Sequence, residues 1–230
     1  MKRRLQNLAL ALVSLCFLLS PIVFSPTAFA FQPDKNTDPA VLRKCIEQIE
    51  KQLEKSGPDA DCYATKAQLL EWLHEPEAAV EQYTKAIDLS SRDASFYVGR
   101  ARSLRLLKKW KEASSDYSSA IKLGKKNTET YIGRALAELS LRDYRKALYD
   151  ANMAIELDSN ESAAWFARGR AELELGKPKE CVESLSKAIK LRPKEPAFFE
   201  VRSQAYLRLG DKTKADQDIS MVKQCSQGIR

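Results

Sequence analysis

The regular alternation of apolar and polar residues begins just before residue 40. Over residues 41–53 the apolar positions lie mostly three or four apart, a spacing that predicts one amphipathic helix. Asp38 offers an N-cap oxygen, Pro39 suits the first helical position, and Gly57 follows the end of the pattern. We therefore predict a linker and an N-terminal capping helix within residues 31–58.

From residue 60 onward the same pattern returns every 34 residues, without insertion or deletion. One short phrase, spelled KAIDL where it first occurs, is present four times in all, and a second position is small in every period. A fixed period of this length indicates stacked repeat units, and a small residue at one position is typical of antiparallel helices that cross closely. The two positions hold Ala86, Ala120, Ala154 and Ala188, and Ala79, Ala113, Ala147, Cys181 and Ala215.

Two further positions recur with the same period. One is aromatic and the other is a leucine that closes the first helix of each predicted pair, where Gly176 and Gly210 can adopt the left-handed conformation that ends helices. The aromatic residues are Tyr63, Tyr97, Tyr131, Trp165 and Phe199. Together these positions resemble the tetratricopeptide repeat. The resemblance implies an all-α fold, a right-handed superhelical solenoid of stacked antiparallel helix pairs. Its repeats are 60–93, 94–127, 128–161 and 162–195, with a degenerate C-terminal cap at 196–229.

The first 30 residues differ from the rest of the chain. Lys2, Arg3 and Arg4 precede a long apolar run, and small residues near Ala30 form an acceptable cleavage site. This pattern predicts a Sec-type signal peptide over residues 1–30 and an exported protein of the periplasm, a lumen or the cell exterior. An uncleaved membrane anchor over residues 8–24 stays open as the alternative.

Charge and motif content exclude several function classes. Cleavage would lower the formal net charge from +7 to +4, and acidic and basic residues alternate along the helices, so nucleic acid is not the predicted partner. The single histidine, His74, falls in a predicted helix turn. The sequence has no metal-ligand cluster, glycine-rich phosphate loop or nucleophile motif. We therefore predict no catalytic, metal-binding or cofactor-binding residues, and a protein that is not an enzyme.

A basic residue recurs just before a small residue of every first helix, and an aspartate recurs on three second helices. These residues are Lys66, Arg100, Arg134, Arg168 and Arg202, and Asp116, Asp150 and Asp218. Such a basic ladder is either a ligand site or a set of ion pairs inside the repeats. The structural hypothesis is favoured, because a residue repeated along a solenoid usually serves the repeat itself.

Four cysteines follow the predicted cleavage site: Cys45, Cys62, Cys181 and Cys225. An even number in an exported protein allows disulfides. The helical frame separates Cys45 from the residue opposite Cys62 by too great a distance for a bridge, and it places Cys181 at a helix crossing. We therefore favour free thiols.

The residues expected on the concave side of the solenoid differ from repeat to repeat, and core packing does not require such variation. We interpret them as an apolar strip flanked by basic residues and one tryptophan. The strip is Val98, Ile132, Leu136, Leu139, Phe166 and Leu173, and the flanking residues are Trp72, Arg102, Arg105, Arg170 and Arg208.

Such a surface suits a peptide or helix segment that carries carboxylates. The sequence thus predicts a protein-protein interaction scaffold. The alternative is a structural or assembly protein that self-associates or is anchored to a membrane.

Overall fold

The computed structural model describes residues 37–227. The predicted signal peptide, and the predicted linker as far as residue 36, lie outside the described residues. Within the described range every regular element is an α-helix, and there are eleven of them. The all-α fold class predicted from the sequence is therefore confirmed.

The chain divides into two compact units, with the boundary between Ser90 and Ser91. The first unit contains α1 (Pro39–Ser56), α2 (Ala60–Trp72) and α3 (Pro76–Leu89). Helix α1 packs on α2, and α2 packs on α3.

Helix α1 begins where the sequence predicts. The Asp38 carboxylate accepts a hydrogen bond of 2.9 Å from the backbone N–H of Ala40, and Pro39 occupies the first helical position. One side of the helix, including Leu42, Cys45 and Ile49, is buried. An amphipathic helix of this kind needs a neighbour to cover its apolar stripe, and α2 provides it.

The second unit contains four antiparallel helix pairs. The two helices of each pair contact each other, each second helix contacts the first helix of the next pair, and successive first helices also contact. These are the stacked pairs that the repeat frame implies. The first helices are α4 (Ala94–Leu106), α6 (Thr128–Ser140), α8 (Ser162–Glu174) and α10 (Pro196–Arg208). The second helices are α5 (Trp110–Lys122), α7 (Tyr144–Leu157), α9 (Pro178–Leu191) and α11 (Lys212–Gln227).

Small residues set the spacing of the helices in the second unit. One lies in each second helix and has no exposed surface: Ala113, Ala147, Cys181 and Ala215. Two glycines bring helices closer still, since a Cβ added at Gly133 would overlap the ring of Tyr117, and one at Gly169 would overlap Leu185. Close approach of this kind is possible only where little side chain stands at the crossing.

The turn inside each helix pair contains one residue in the left-handed backbone region. Gly176 and Gly210 adopt φ angles of 77° and 80°, as predicted. His74, Lys108 and Arg142 take the same conformation, at 59°, 58° and 63°. A residue with a Cβ is strained there by about 1–2 kcal/mol. Three of the five turns therefore carry a local cost that glycine would remove.

Arg142→Gly is expected to raise the free energy of unfolding by about 1 kcal/mol, because relief of the Cβ strain exceeds the entropy that glycine adds to the unfolded chain. Arg142 is exposed, so little packing is lost. The thermal midpoint, followed by circular dichroism, should rise by about 2–4 °C. The reverse change, Gly176→Arg, should lower it. A midpoint that falls in Arg142→Gly would contradict the assignment of strain to this turn.

Candidate functional site

The basic ladder forms ion pairs inside the repeats of the second unit. Arg134 donates from Nε and Nη2 to the two carboxylate oxygens of Asp150, at 2.7 Å each. The same two-point geometry joins Arg100 to Asp116 and Arg202 to Asp218, at 2.7–2.9 Å. Each pair ties a first helix to its own second helix. For these three arginines the structural hypothesis is confirmed.

Each ladder arginine also lies over the aromatic residue three positions before it. The distances from the guanidinium carbon to the ring centroid are 5.5–6.0 Å for Arg100 and Tyr97, Arg134 and Tyr131, Arg168 and Trp165, and Arg202 and Phe199. The hydrogen bonds to Asp150 and Asp218 raise the pKa of Arg134 and Arg202. These guanidinium groups are held between a ring and a carboxylate, which explains why the aromatic position recurs.

Two ladder residues pair differently, because their repeats lack the aspartate. Lys66 bonds Glu50 at 2.6 Å. Arg168 donates from Nε to Glu172 at 2.8 Å, and Ser184, at the aspartate position of that repeat, donates its hydroxyl to the same carboxylate at 2.6 Å. Glu172 is 3% exposed, so this buried carboxylate is satisfied by two donors.

The prediction of an exposed apolar strip is wrong at Val98, Leu139 and Leu173, which are 6%, 7% and 1% exposed. Each belongs to a core cluster: Val98 packs with Tyr117, and Leu173 packs with Leu185. Val98 is covered by Tyr117 of its own second helix. Leu139 clusters with Ala167, and Leu173 with Val201, because neighbouring first helices contact each other. Residues at the seam between them are covered by the next repeat and cannot face a groove.

The remaining apolar residues of the strip are half-buried. Ile132 and Leu136 lie on α6, and Phe166 lies on α8, where its ring meets Phe198 at a centroid distance of 5.3 Å. Trp72 is 47% exposed but belongs to the first unit. The accessible apolar surface on the first helices of the second unit is therefore shorter than predicted and centres on α6 and α8.

The flanking arginines fall into two groups. Arg102 pairs with Glu129 at 3.0 Å, and Arg208 donates to the backbone carbonyl of Leu173 and approaches Glu174 at 3.8 Å. Arg105 and Arg170, in contrast, form no ion pair among residues 37–227. Arg170 is exposed and Arg105 is half-buried. These two cations are the ones available to an outside carboxylate.

Tyr117 is buried behind the first helices that carry these residues. Its side chain is 3% exposed and its ring lies against Gly133 of α6. Burial raises the pKa of Tyr117, while a hydrogen bond with Arg105 and the positive charges of Arg105 and Arg102 lower it in part. The Tyr117 side chain therefore lies close to Arg105, whose Nε is buried without a hydrogen-bond partner among the described residues. The sequence pattern did not predict this burial, although an aromatic side chain facing a glycine on the next helix is a usable signal.

The chain matches the tetratricopeptide repeat family over residues 65–128 and again over residues 162–195. The chain contains tetratricopeptide repeats. A comparison with curated proteins found no match. The tetratricopeptide repeat (TPR) fold is typical of scaffolds for protein-protein interaction.

Solved TPR structures resemble the chain in fold. YrrB, described as a TPR protein with an unusual peptide-binding site, is 24% identical with a TM-score of 0.66, covering 78% of this chain and 93% of its own. MamA from Desulfovibrio magneticus RS-1 is 17% identical with a TM-score of 0.67, covering 74% and 96%. A TPR protein from Parabacteroides merdae is 18% identical with a TM-score of 0.70, covering 86% and 76%.

The TPR array also holds a polar cleft that the sequence analysis did not identify. Its volume is about 440 Å³, and it lies between α5, α6 and α7. Ser114 of α5 donates to the buried Glu138 of α6 at 2.5 Å, and Arg134 binds Asp150, so both carboxylates of the cleft are satisfied. Arg145 lines the same cleft and forms no ion pair among the described residues. The lining of the cleft thus carries the basic side chains of Arg134, Arg145 and Lys146 beside the carboxylates of Glu138 and Asp150.

The rest of the described chain offers little reactive chemistry. Residues 37–227 contain no group of three metal-ligating side chains. The four cysteines there are free, and burial raises the pKa of Cys45 and, as the main cause, the pKa values of Cys62 and Cys181 to about 12. The thiols of Cys45, Cys62 and Cys181 therefore stay protonated at neutral pH. None of the described helices is long and apolar enough to span a bilayer.

Proposed function

We propose that this chain is an exported, non-enzymatic scaffold that binds a carboxylate-bearing peptide or helix segment on the first helices of its second unit. The observation that carries the proposal is the pair Arg105 and Arg170, two cations without an ion-pair partner among the described residues. They lie on α4 and α8, on either side of the half-buried apolar residues of α6.

The geometry of this face supports a segment that is both apolar and acidic. Ile132, Leu136 and Phe166 offer apolar contact, and Arg105 and Arg170 offer charge-assisted hydrogen bonds. Arg105 lies near the buried side chain of Tyr117, and its own Nε is buried without a hydrogen-bond partner among the described residues. A preformed site of this kind loses little conformational entropy on binding, so more of the contact energy appears as affinity. YrrB, which shares the fold, is described as having a peptide-binding site.

The export of the chain rests on the sequence of residues 1–30, where three basic residues precede an apolar run and a small-residue cleavage site. The scaffold would therefore meet its partner outside the cytosol. The absence of an assembled nucleophile, base or metal set in the sequence supports a role in binding, with no reaction catalysed by the chain.

Site-specific photo-crosslinking in the native cells tests the proposed binding face. A photoreactive residue at Leu136 should give a covalent adduct, and one at Tyr149, which is 59% exposed on a second helix, should give none. Arg170→Glu should lower the yield of the Leu136 adduct at least about tenfold, because the variant places like charge against the partner's carboxylates. Mass spectrometry should locate the adduct in an acidic segment of the partner.

The matched control for the charge change is Arg192→Glu. Arg192 is exposed, lies between α9 and α10, and forms no ion pair among the described residues. The control should leave the Leu136 adduct unchanged. Equal adducts from Leu136 and Tyr149, or an adduct that survives Arg170→Glu, would rule out this face as the binding site.

A further inference from the structure

The turns between the first and second helices of the second unit form one strongly basic edge. Because successive first helices lie side by side, all four turns lie at the same edge of this unit. The five-residue segments that contain these turns hold ten lysines and arginines and only four acidic residues. The segments are 108–112, 142–146, 176–180 and 210–214. We call this row of turns the basic edge.

The charge of the basic edge is not a general property of the repeat frame. The equivalent segment of the first unit, residues 74–78, has two glutamates and no lysine or arginine. Within the second unit, the opposite edge mixes both signs, as at Asp158, Glu161 and Lys190. A row of basic turns about 10 Å apart, the spacing of packed helices, matches an extended anionic surface better than a single small anion.

Two of the four helix starts at this edge are unusual, whereas the other two, those of α7 and α11, are capped by Asp143 and Asp211. Helices α5 and α9 have Lys109 and Lys177 at the N-cap position, and no side chain caps either one. Lysine is unfavourable there, because the helix dipole already places positive charge at the N-terminus. At the opposite edge, Asp93, Asn127 and Glu161 cap three of the four first helices, and α10 has no side-chain cap. Lysine at these two N-cap positions lowers helix stability, and it adds positive potential to one side of the second unit.

Exposed leucines lie at both edges of the second unit, since Leu123, Leu157 and Leu191 at the opposite edge are 37–51% exposed, and at the basic edge they stand beside the larger positive charge. Leu106 and Leu207, in the last turns of α4 and α10, are 58% and 51% exposed, and Leu209 in the adjoining turn is 39% exposed. Trp110, the first residue of α5, is only half-buried. Exposed leucine and tryptophan next to lysine are typical of surfaces that lie in the interface of a bilayer.

The polar cleft between α5, α6 and α7 opens among these residues. Arg145 and Lys146 belong to both the basic edge and the cleft. Lys146 forms an ion pair with Asp143 at 2.7 Å, whereas Arg145 forms no ion pair among the described residues. The cleft is large enough to hold a small molecule or a lipid headgroup.

We propose that the basic edge of the second unit docks on an anionic lipid surface, with its lysines and arginines against phosphate headgroups and Leu106 and Leu207 in the interfacial layer. A lipid surface fits better than nucleic acid, because the interfacial layer of a bilayer can bury the exposed leucines and a phosphate backbone cannot. The site is distinct from the proposed peptide-binding face, so the two can be tested separately.

Vesicle co-sedimentation of the full chain tests this proposal. The probes are vesicles of phosphatidylcholine alone and vesicles of equal parts phosphatidylcholine and phosphatidylglycerol. The edge variant replaces four exposed lysines by glutamine: Lys109, Lys111, Lys177 and Lys179. Each basic residue near an anionic surface contributes about fivefold to binding. Allowing for screening by salt, the partition constant on anionic vesicles should fall at least about fiftyfold.

The control variant removes the same charge from the opposite edge, as glutamine at the exposed lysines Lys122, Lys125, Lys126 and Lys190. It should lose less than about fivefold, the contribution of one lysine held at the surface. All variants keep residues 1–36, so any contribution of the N-terminal apolar segment is common to them. Equal losses in the two variants, or equal binding of the parent chain to neutral and anionic vesicles, would overturn the proposal.

A leucine variant distinguishes a bilayer from other polyanions. Leu106→Gln combined with Leu207→Gln should weaken binding to anionic vesicles about tenfold, because both side chains leave the interfacial layer. It should not change binding to a DNA duplex. If the parent chain binds the duplex more tightly than the vesicles, and the leucine variant binds vesicles like the parent, the basic edge serves nucleic acid and the proposal fails.

Discussion

Asp150→Ala is expected to lower the free energy of unfolding by about 3–5 kcal/mol, because it leaves the Arg134 guanidinium partly buried without its carboxylate. Asp150 is 1% exposed, and both its oxygens accept hydrogen bonds of 2.7 Å. At about 2–4 °C for each kcal/mol, the thermal midpoint should fall by about 10 °C. Denaturant unfolding followed by circular dichroism measures the change.

Two comparisons identify the cause of this loss. Glu129→Ala breaks the Arg102 ion pair, whose side chains are 40% and 57% exposed, and should cost at most about 1 kcal/mol. The double variant Arg134→Met with Asp150→Leu removes both charges together, and it should recover most of the stability. An unchanged midpoint for Asp150→Ala, or a double variant as unstable as the single one, would contradict the ion-pair explanation.

The repeat frame could be predicted because the same physical requirement recurs in every repeat. Ala147 and Cys181 are both fully buried at the same frame position, and both were expected to be small for the same reason. The pairing of Arg134 with Asp150 followed from the same logic, since the two residues recur together. In each case several repeats supplied independent observations of one requirement.

The candidate binding face was harder to predict, because its residues do not repeat. Periodicity assigned Val98, Leu139 and Leu173 to the concave side, yet all three are buried. Leu139 and Leu173 lie at the seams between neighbouring first helices, and Val98 packs on its own second helix. The width of that seam depends on how closely the repeats stack, and glycines such as Gly133 bring them closer. The spacing within one helix carries no information on how much of its face the next helix covers.

Ion pairs between non-equivalent positions could not be predicted from the sequence either. Arg102 and Arg105 are three residues apart on α4, but one is paired with Glu129 and the other lies close to the Tyr117 side chain. The partners come from α6 and α5, so the outcome depends on side-chain reach across two helix interfaces. The basic edge was missed for a simpler reason: an average over each helix conceals charge that is concentrated in its turns.

Leu173→Ala is expected to lower the free energy of unfolding by about 2–5 kcal/mol, because the side chain fills a core position and its removal leaves a cavity. Leu173 is 1% exposed and lies in a cluster with Cys181, Leu185 and Val201. If Leu173 faced an open groove instead, the same substitution would cost little stability and would mainly weaken partner binding. Denaturant unfolding therefore separates the core assignment from the groove assignment.

Leu106→Ala is the matched control, since Leu106 is 58% exposed near the end of another first helix. It should change the free energy of unfolding by no more than about 0.5 kcal/mol. In the native cells, at a temperature where both variants are folded, Leu173→Ala should still give the Leu136 photo-adduct, because the binding face itself is intact. If Leu173→Ala keeps the parent's unfolding midpoint and loses the adduct, Leu173 faces the groove. The assignment of Leu173 to the seam between α8 and α10 would then be wrong.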